Sequence, residues 1–158
     1  MTWLTSPSPN LVRGVDEVRV MANEAVCIET PSRFARFTIA AGAVLPIGTL
    51  VYLSSDPYTV AATSGADQSF AGIVWIESTA TDTFTEITVA LDGVWDIKDA
   101  GAGSTIGTVV AVGGANLSVT ADANDFVSGS FIGYVEETQG AAEVCRTRLT
   151  KFGSSGQL

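Results

Sequence analysis

"PIGTLVYL" (Pro46–Leu53) and "TIGTVVAV" (Thr105–Val112) stand 59 residues apart in a chain of 158. Ile47-Gly48-Thr49-Leu50-Val51 aligns with Ile106-Gly107-Thr108-Val109-Val110, and Val60 then falls on Val119 without a gap. After a two-residue shift, Phe70-Ala71-Gly72-Ile73-Val74 aligns with Phe131-Ile132-Gly133-Tyr134-Val135, and Glu86-Ile87 meets Glu143-Val144. Each half reads as a strand, a turn, a second strand, a loop with Gly before an apolar strand, a hairpin and a closing strand. The recurring pairs Gly48/Gly107 and Gly72/Gly133 mark positive φ or close backbone approach, where a Cβ is not tolerated.

The rest of the chain is written in the same style. Short β-branched or aromatic runs such as "AVCIE", "RFTI", "GIVWIE", "ITVAL", "VWDI" and "FIGYVEE" are separated by turn chemistry: "SSDPYT", "TSGADQS", "DAGAGS", "GGAN". No window holds a 3.6-residue period over ten residues, so the predicted fold is all-β. Units of about 50 residues are marginal alone. The repeat therefore predicts two similar small β-barrel or sandwich-like units, about 40–93 and 99–151, that share a core. They lie in a β domain over 15–152, between an extended N-terminal arm (1–14) and a flexible C-terminal tail (153–158). "GAGSTIG" (Gly101–Gly107) matches neither dinucleotide nor phosphate-loop spacing and reads as a turn between the lobes.

Charge is sparse, at 16% of residues, and acidic, with a net −9. Such a surface repels nucleic acid. No Lys or Arg occurs between Phe37 and Ile97, while Arg13, Arg19, Arg33 and Arg36 sit near the start and Arg146, Arg148 and Lys151 near the finish. Two readings stand: scatter among eight residues, or terminal segments that face an acidic partner. Cys27 and Cys145 match no zinc or disulfide framework and read as two buried thiols. "MTWLTSPSPN" has no basic or apolar signal region and no stretch suits a membrane span, which predicts synthesis in a cytoplasm and no membrane partner.

Catalytic chemistry is scarce. With no His, the Ser-His-Asp and Cys-His nucleophile systems and most catalytic zinc sites are excluded. Glu136 and Glu137 point to opposite faces of a strand, and Asp92 and Asp96 would lie roughly 13 Å apart along one. "DANDF" (Asp122–Phe126) opens like a calcium loop but has Val127 where the turn needs Gly and Gly133 where it needs a bidentate Glu. Asn116-Leu117-Ser118 matches a glycosylation acceptor only formally. The chain is read as a non-enzyme without cofactor or metal.

Gly93-Val94-Trp95, an Ala/Gly-rich turn leading into Gly107-Thr108-Val109-Val110, Gly133-Tyr134, and the alternating Arg146-Thr147-Arg148-Leu149 follow one another in a consistent order. In these residues the chain resembles the capsid cement (head decoration) proteins of tailed bacteriophages, from about Phe37 to Phe152. The resemblance implies a virion protein on the outer surface of an assembled capsid. It would bind the major capsid protein of a phage head, as a homotrimer, and reinforce the shell. The leading residues 1–36 depart from the family pattern. Trp3 and Leu4, apolar in a proline-rich arm, and Arg13 and Arg19 behind them are the candidate capsid contacts. A tail or fibre accessory module of a virion is the alternative, followed by a small-ligand or carbohydrate-binding barrel using an exposed Trp75 or Trp95. The strand positions of both Trp favour packing in the core.

Overall fold

A computed structural model describes residues 23–55 and 57–150. The elements in order are β1 (Val26–Glu29), β2 (Phe34–Thr38), β3 (Leu50–Ser55), β4 (Thr59–Ala62), β5 (Phe70–Val74), β6 (Glu86–Ala90), β7 (Val94–Asp99), β8 (Val109–Gly114), β9 (Leu117–Thr120), α1 (Ala123–Ser128), β10 (Phe131–Val135) and β11 (Val144–Leu149). The expected arm (1–14), the run "EVRVM" (Glu17–Met21) and the tail (153–158) lie outside the described residues.

The repeat is real in three dimensions. The first unit is a closed barrel in the order β2-β4-β3-β5-β6, and the second closes as β7-β9-β8-β10-β11. In each, the first strand runs parallel to the third and every other pairing is antiparallel. The Gly48 N–H donates to the Val74 carbonyl at 3.0 Å, and the Gly107 N–H to the Val135 carbonyl at 2.8 Å. Both glycines hold a left-handed turn, with φ of 91° and 85°. Val51 faces Gly72 across its ladder and Val110 faces Gly133.

Four details depart from the sequence reading. Each barrel contains a strand, β2 or β7, that precedes the repeated phrase. Its parallel closure, at Thr38↔Thr59 and Lys98↔Leu117, is a crossover that periodicity does not show. Leu53 pairs with Val60, and Val112 pairs with Ser118, so Val60 corresponds to Ser118 rather than Val119; the second hairpin turn is one residue shorter. Likewise Phe37 pairs with Ile87 and Ile97 with Cys145, which sets Cys145, not Val144, over Ile87. Gly101–Gly107 lies within the second barrel, between β7 and β8, because the lobes meet at residues 91–93. "DANDF" forms the N-cap and first turn of α1. The Asp122 carboxylate accepts from the Asn124 N–H (2.7 Å) and Asp125 Oδ2 from the Asp122 N–H (2.7 Å), which caps the helix at both ends of a capping box.

Phe37, Val51, Val60, Ala71, Val74, Ile87 and Val89 fill the first barrel. A second cluster spans both units: Leu50, Phe70, Ile73 and Ala90 from the outside of the first barrel pack with Trp95, Ile97, Val110, Val112, Ile132, Val135 and Cys145 of the second. Full burial of each such Leu or Ile contributes about 1.5–3 kcal/mol. The two barrels thus share a core.

Strand β1 staples the units together. The Ala25 N–H donates to the Gly48 carbonyl of the first barrel at 2.8 Å, and Val26–Glu29 then pairs antiparallel with β7 of the second. Arg148 on β11 locks it down. Its guanidinium reaches both oxygens of Glu29 at 3.1 Å while Nε donates to Glu136 at 2.6 Å. Replacing Arg148 by Ala should loosen β1 without unfolding the barrels. Cys27, half-buried on β1 rather than buried as expected, reports this: its labelling by a thiol reagent should accelerate several-fold, while the buried Cys145 stays protected.

Candidate interaction surfaces

Trp3, Leu4, Arg13 and Arg19, the candidate contacts read from the sequence, lie outside the described residues. Of the basic residues near the finish, Arg146 and Arg148 form ion pairs within the chain. Arg146 on β11 pairs with Asp96 on β7 (2.9 Å) and with Glu137, just beyond β10 (3.5 Å), and these carboxylates push its pKa up. The Arg148 guanidinium holds the Glu29 carboxyl below the usual range.

A depressed carboxyl pKa contributes stability above the ordinary Glu value and loses it as pH falls through the folded value. The β1 clamp should therefore stay intact at neutral pH and open only below about pH 4. Hydrogen exchange of the Val26–Glu29 amides across that range is the measurement.

The remaining carboxylates organise loops. Asp92 accepts from the Ser32 and Arg33 N–H groups (2.8 and 3.0 Å) and from the Ser32 hydroxyl. Partial burial pushes its pKa up, but these bonds together outweigh that effect and leave it lowered. Asp99, almost wholly buried, accepts from Gly101 N–H and the Ser104 hydroxyl. Among the described residues no group of three or more His, Cys, Asp or Glu could hold a metal ion. The two described tryptophans pack together. Trp95 is fully buried with its indole N–H on the Asp92 carbonyl (3.1 Å), and Trp75 packs edge-on to it at 6.2 Å.

The barrels are joined by one inserted turn. Asn116, at the β8–β9 turn, has φ of 55° and no exposed surface. Its Oδ1 accepts from the Leu50 N–H (2.8 Å), and its own N–H donates to the Thr63 hydroxyl (3.1 Å), both on the first barrel. Beside it Phe70 N–H donates to the Gly129 carbonyl (3.0 Å), and Ala66 bridges Gly113. The formal glycosylation acceptor is thus a buried structural joint, inaccessible to modification.

Among the described residues, open depressions mark the surface. One, about 540 Å³, is lined by Leu53, Ser54, Ser55, Pro57 and Tyr58 at the β3–β4 hairpin. The other, about 320 Å³, is lined by Glu24, Ala25, Val26, Cys27, Pro46, Ile47 and Glu77. The first mixes serine hydroxyls with Leu53 and Tyr58, and the second sets Glu24 and Glu77 beside Ala25, Val26 and Ile47. Sequence reading took the first of these as turn chemistry alone. The signal it passed over is an aromatic, Tyr58, at the place where the other half carries Asn116.

No family model matches this chain, and no curated protein matches it. Among solved structures, it is similar to the N base of the head fiber of bacteriophage phi29 (gp8.5), with a TM-score of 0.50 and 15% sequence identity. The match covers 75% of this chain and 96% of that one.

Proposed function

We propose that this chain is a structural protein of a bacteriophage virion, seated on the outer surface of the head. The observation that carries this reading is the likeness of the fold to the phi29 head fiber base, a match that covers 96% of that chain. The sequence resemblance to capsid cement proteins points the same way. So does the absence of His, with Asp92, Asp96, Asp99, Glu29 and Glu136 occupied in holding loops and strands. Its partner is the major capsid protein, and decoration by three copies per site suits a shell with threefold positions. Many weak contacts on a symmetric lattice give avidity without one tight site. The fiber likeness favours a second form of the reading, in which the barrels are the seat of a longer projection.

In either form the leading arm makes the grip: Trp3 and Leu4 anchor it and Arg13 and Arg19 meet acidic groups on the shell. Ordering such an arm costs roughly 1–2 kcal/mol per residue, which buried aromatic anchors offset. The test mixes undecorated heads with the full chain and with a chain lacking residues 2–12, followed by sedimentation. Binding by the full chain and loss of it on truncation, with an unchanged melting transition, is the expected result. Undiminished binding of the truncated chain would move the grip to the barrels, and failure of the full chain to sediment with heads would end the capsid reading.

A further inference from the structure

The contact between the two barrels is head-to-tail. The second barrel contributes a plug, the β8–β9 turn with Asn116 and Val112. The first contributes a socket, made by Leu50, Thr63 and Ile73 on its outer side. Because the barrels share one topology, each also carries the other's part. The register that pairs Leu53 with Val60 and Val112 with Ser118 places Leu53 where the second barrel has Val112, and Tyr58 where it has Asn116. The register at Gly72 and Gly133 likewise places Val109 over Leu50 and Tyr134 over Ile73.

Among the described residues these counterparts are left exposed. Asn116 and Val112 are 0% exposed, but Tyr58 and Leu53 are 74% and 42% exposed. Ile73 is 0% exposed, but Tyr134 is 37% exposed, and Val109 is only half-buried. The first barrel's socket rim pairs Ala66 with Gly113. In the second barrel the same loop, Thr63 to Phe70, becomes the longer Ala121 to Phe131 and folds as α1. That helix exposes Phe126 and Val127. The first barrel therefore exposes Leu53 and Tyr58 in the plug position, and the second exposes Tyr134, Phe126 and Val127 in the socket position.

We infer that a second copy of this chain docks head-to-tail on the first: the Leu53–Tyr58 hairpin of one copy sits on the Val109, Tyr134 and α1 surface of the next. The occupant follows from continuity with the joint inside the chain, which buries these same positions. The chemistry shifts from the polar Asn116 plug to an apolar and aromatic one, which suits an interface between separate chains, where Tyr is a frequent anchor. A heterologous contact of this kind closes into a ring when its rotation permits and otherwise grows as a filament. The inference concerns the chain alone and does not rest on the capsid reading.

The test uses the full chain at micromolar concentration with light scattering. Tyr58→Asp, which suits the left-handed turn at that position, disables the plug; Tyr134→Glu, or Val127→Glu on the exposed face of α1 if that variant misfolds by circular dichroism, disables the socket. The wild-type chain should be heavier than a monomer, each variant alone should be a monomer, and an equal mixture of the two should form a one-to-one dimer and nothing larger. That last result is peculiar to a head-to-tail contact, since each variant retains the half that the other lost. A monomeric wild type, variants that assemble as the wild type does, or a mixture that stays monomeric would each overturn the inference.

Discussion

Replacing Gly133 by alanine will strongly destabilise the second barrel. A Cβ at this position would drive into the Arg148 carbonyl group, with its carbon at 2.8 Å and the Leu149 Cα at 3.0 Å. The obstacle is backbone of the paired strand β11, so no side chain can turn aside to relieve it. The physical reason for the close approach lies in the alternation along β10. Ile132 and Val135 both point inward while Phe131 and Tyr134 point outward. Inward residues are thus three apart, and the break in period falls at Gly133, where the register to β8 also shifts. Gly72 does the same in β5, between inward Ala71 and Val74, with a φ of 151° and a Cβ position blocked by Val89 and the Ala90 carbonyl. These are the corners at which the strand bends to close the barrel. Alanine at either should cost about 4 kcal/mol or more, in the range reserved for forced backbone displacement. The melting midpoint should then fall by roughly 10 °C, at the 2–4 °C per kcal/mol expected for a domain of this size. Gly65→Ala is the control: nothing lies within 4 Å of its Cβ, and it should change stability by less than about 1 kcal/mol. Equal losses at Gly65 and Gly133 in thermal unfolding would refute the account.

Those glycines are also the part of the fold most legible in the sequence. A residue that must lack a side chain is conspicuous when the same phrase surrounds it twice, and Gly48, Gly72, Gly107 and Gly133 located the strands around them. What escaped was non-local or short. The parallel closures rest on few residue pairs, Thr38↔Thr59 in one barrel, and leave no local trace. Helix α1 has six residues, too few for a helical period to appear. The clamp joining Arg148 to Glu29 spans 119 residues, so a basic C-terminal cluster looked available for a partner when its charges were already engaged. The candidate surface divides in the same way. The arm residues were readable as apolar in a proline-rich setting. The plug and socket became visible only when equivalent positions in the two barrels could be compared for burial.

Asn116 tests whether the two barrels are one cooperative unit. Its side-chain oxygen satisfies the Leu50 N–H at 2.8 Å, inside a site with no exposed surface. Alanine removes that acceptor and leaves a buried donor unpaired, a loss of about 1–3 kcal/mol. It also puts a residue that disfavours the left-handed region at φ 55°, where Asn is comparatively well tolerated, adding about 1 kcal/mol. Asn116→Gly removes the second penalty and keeps the first, so it should fall between wild type and Asn116→Ala. Thr63→Val attacks the same joint from the other side by removing the acceptor of the Asn116 N–H, and should cost about 1–3 kcal/mol. Because the two substitutions share one joint, their effects should not add; a double-mutant cycle should show coupling of about 0.5 kcal/mol or more. With the joint weakened, the second cluster still binds Leu50 and Ile73 to Trp95, but the polar registration between barrels is gone. Calorimetry should then show the single transition of the wild type broaden or split as the first barrel melts apart from the second. A sharp single transition for Asn116→Ala at the wild-type midpoint would mean that the apolar contacts alone unite the barrels and that the inserted turn merely fills space.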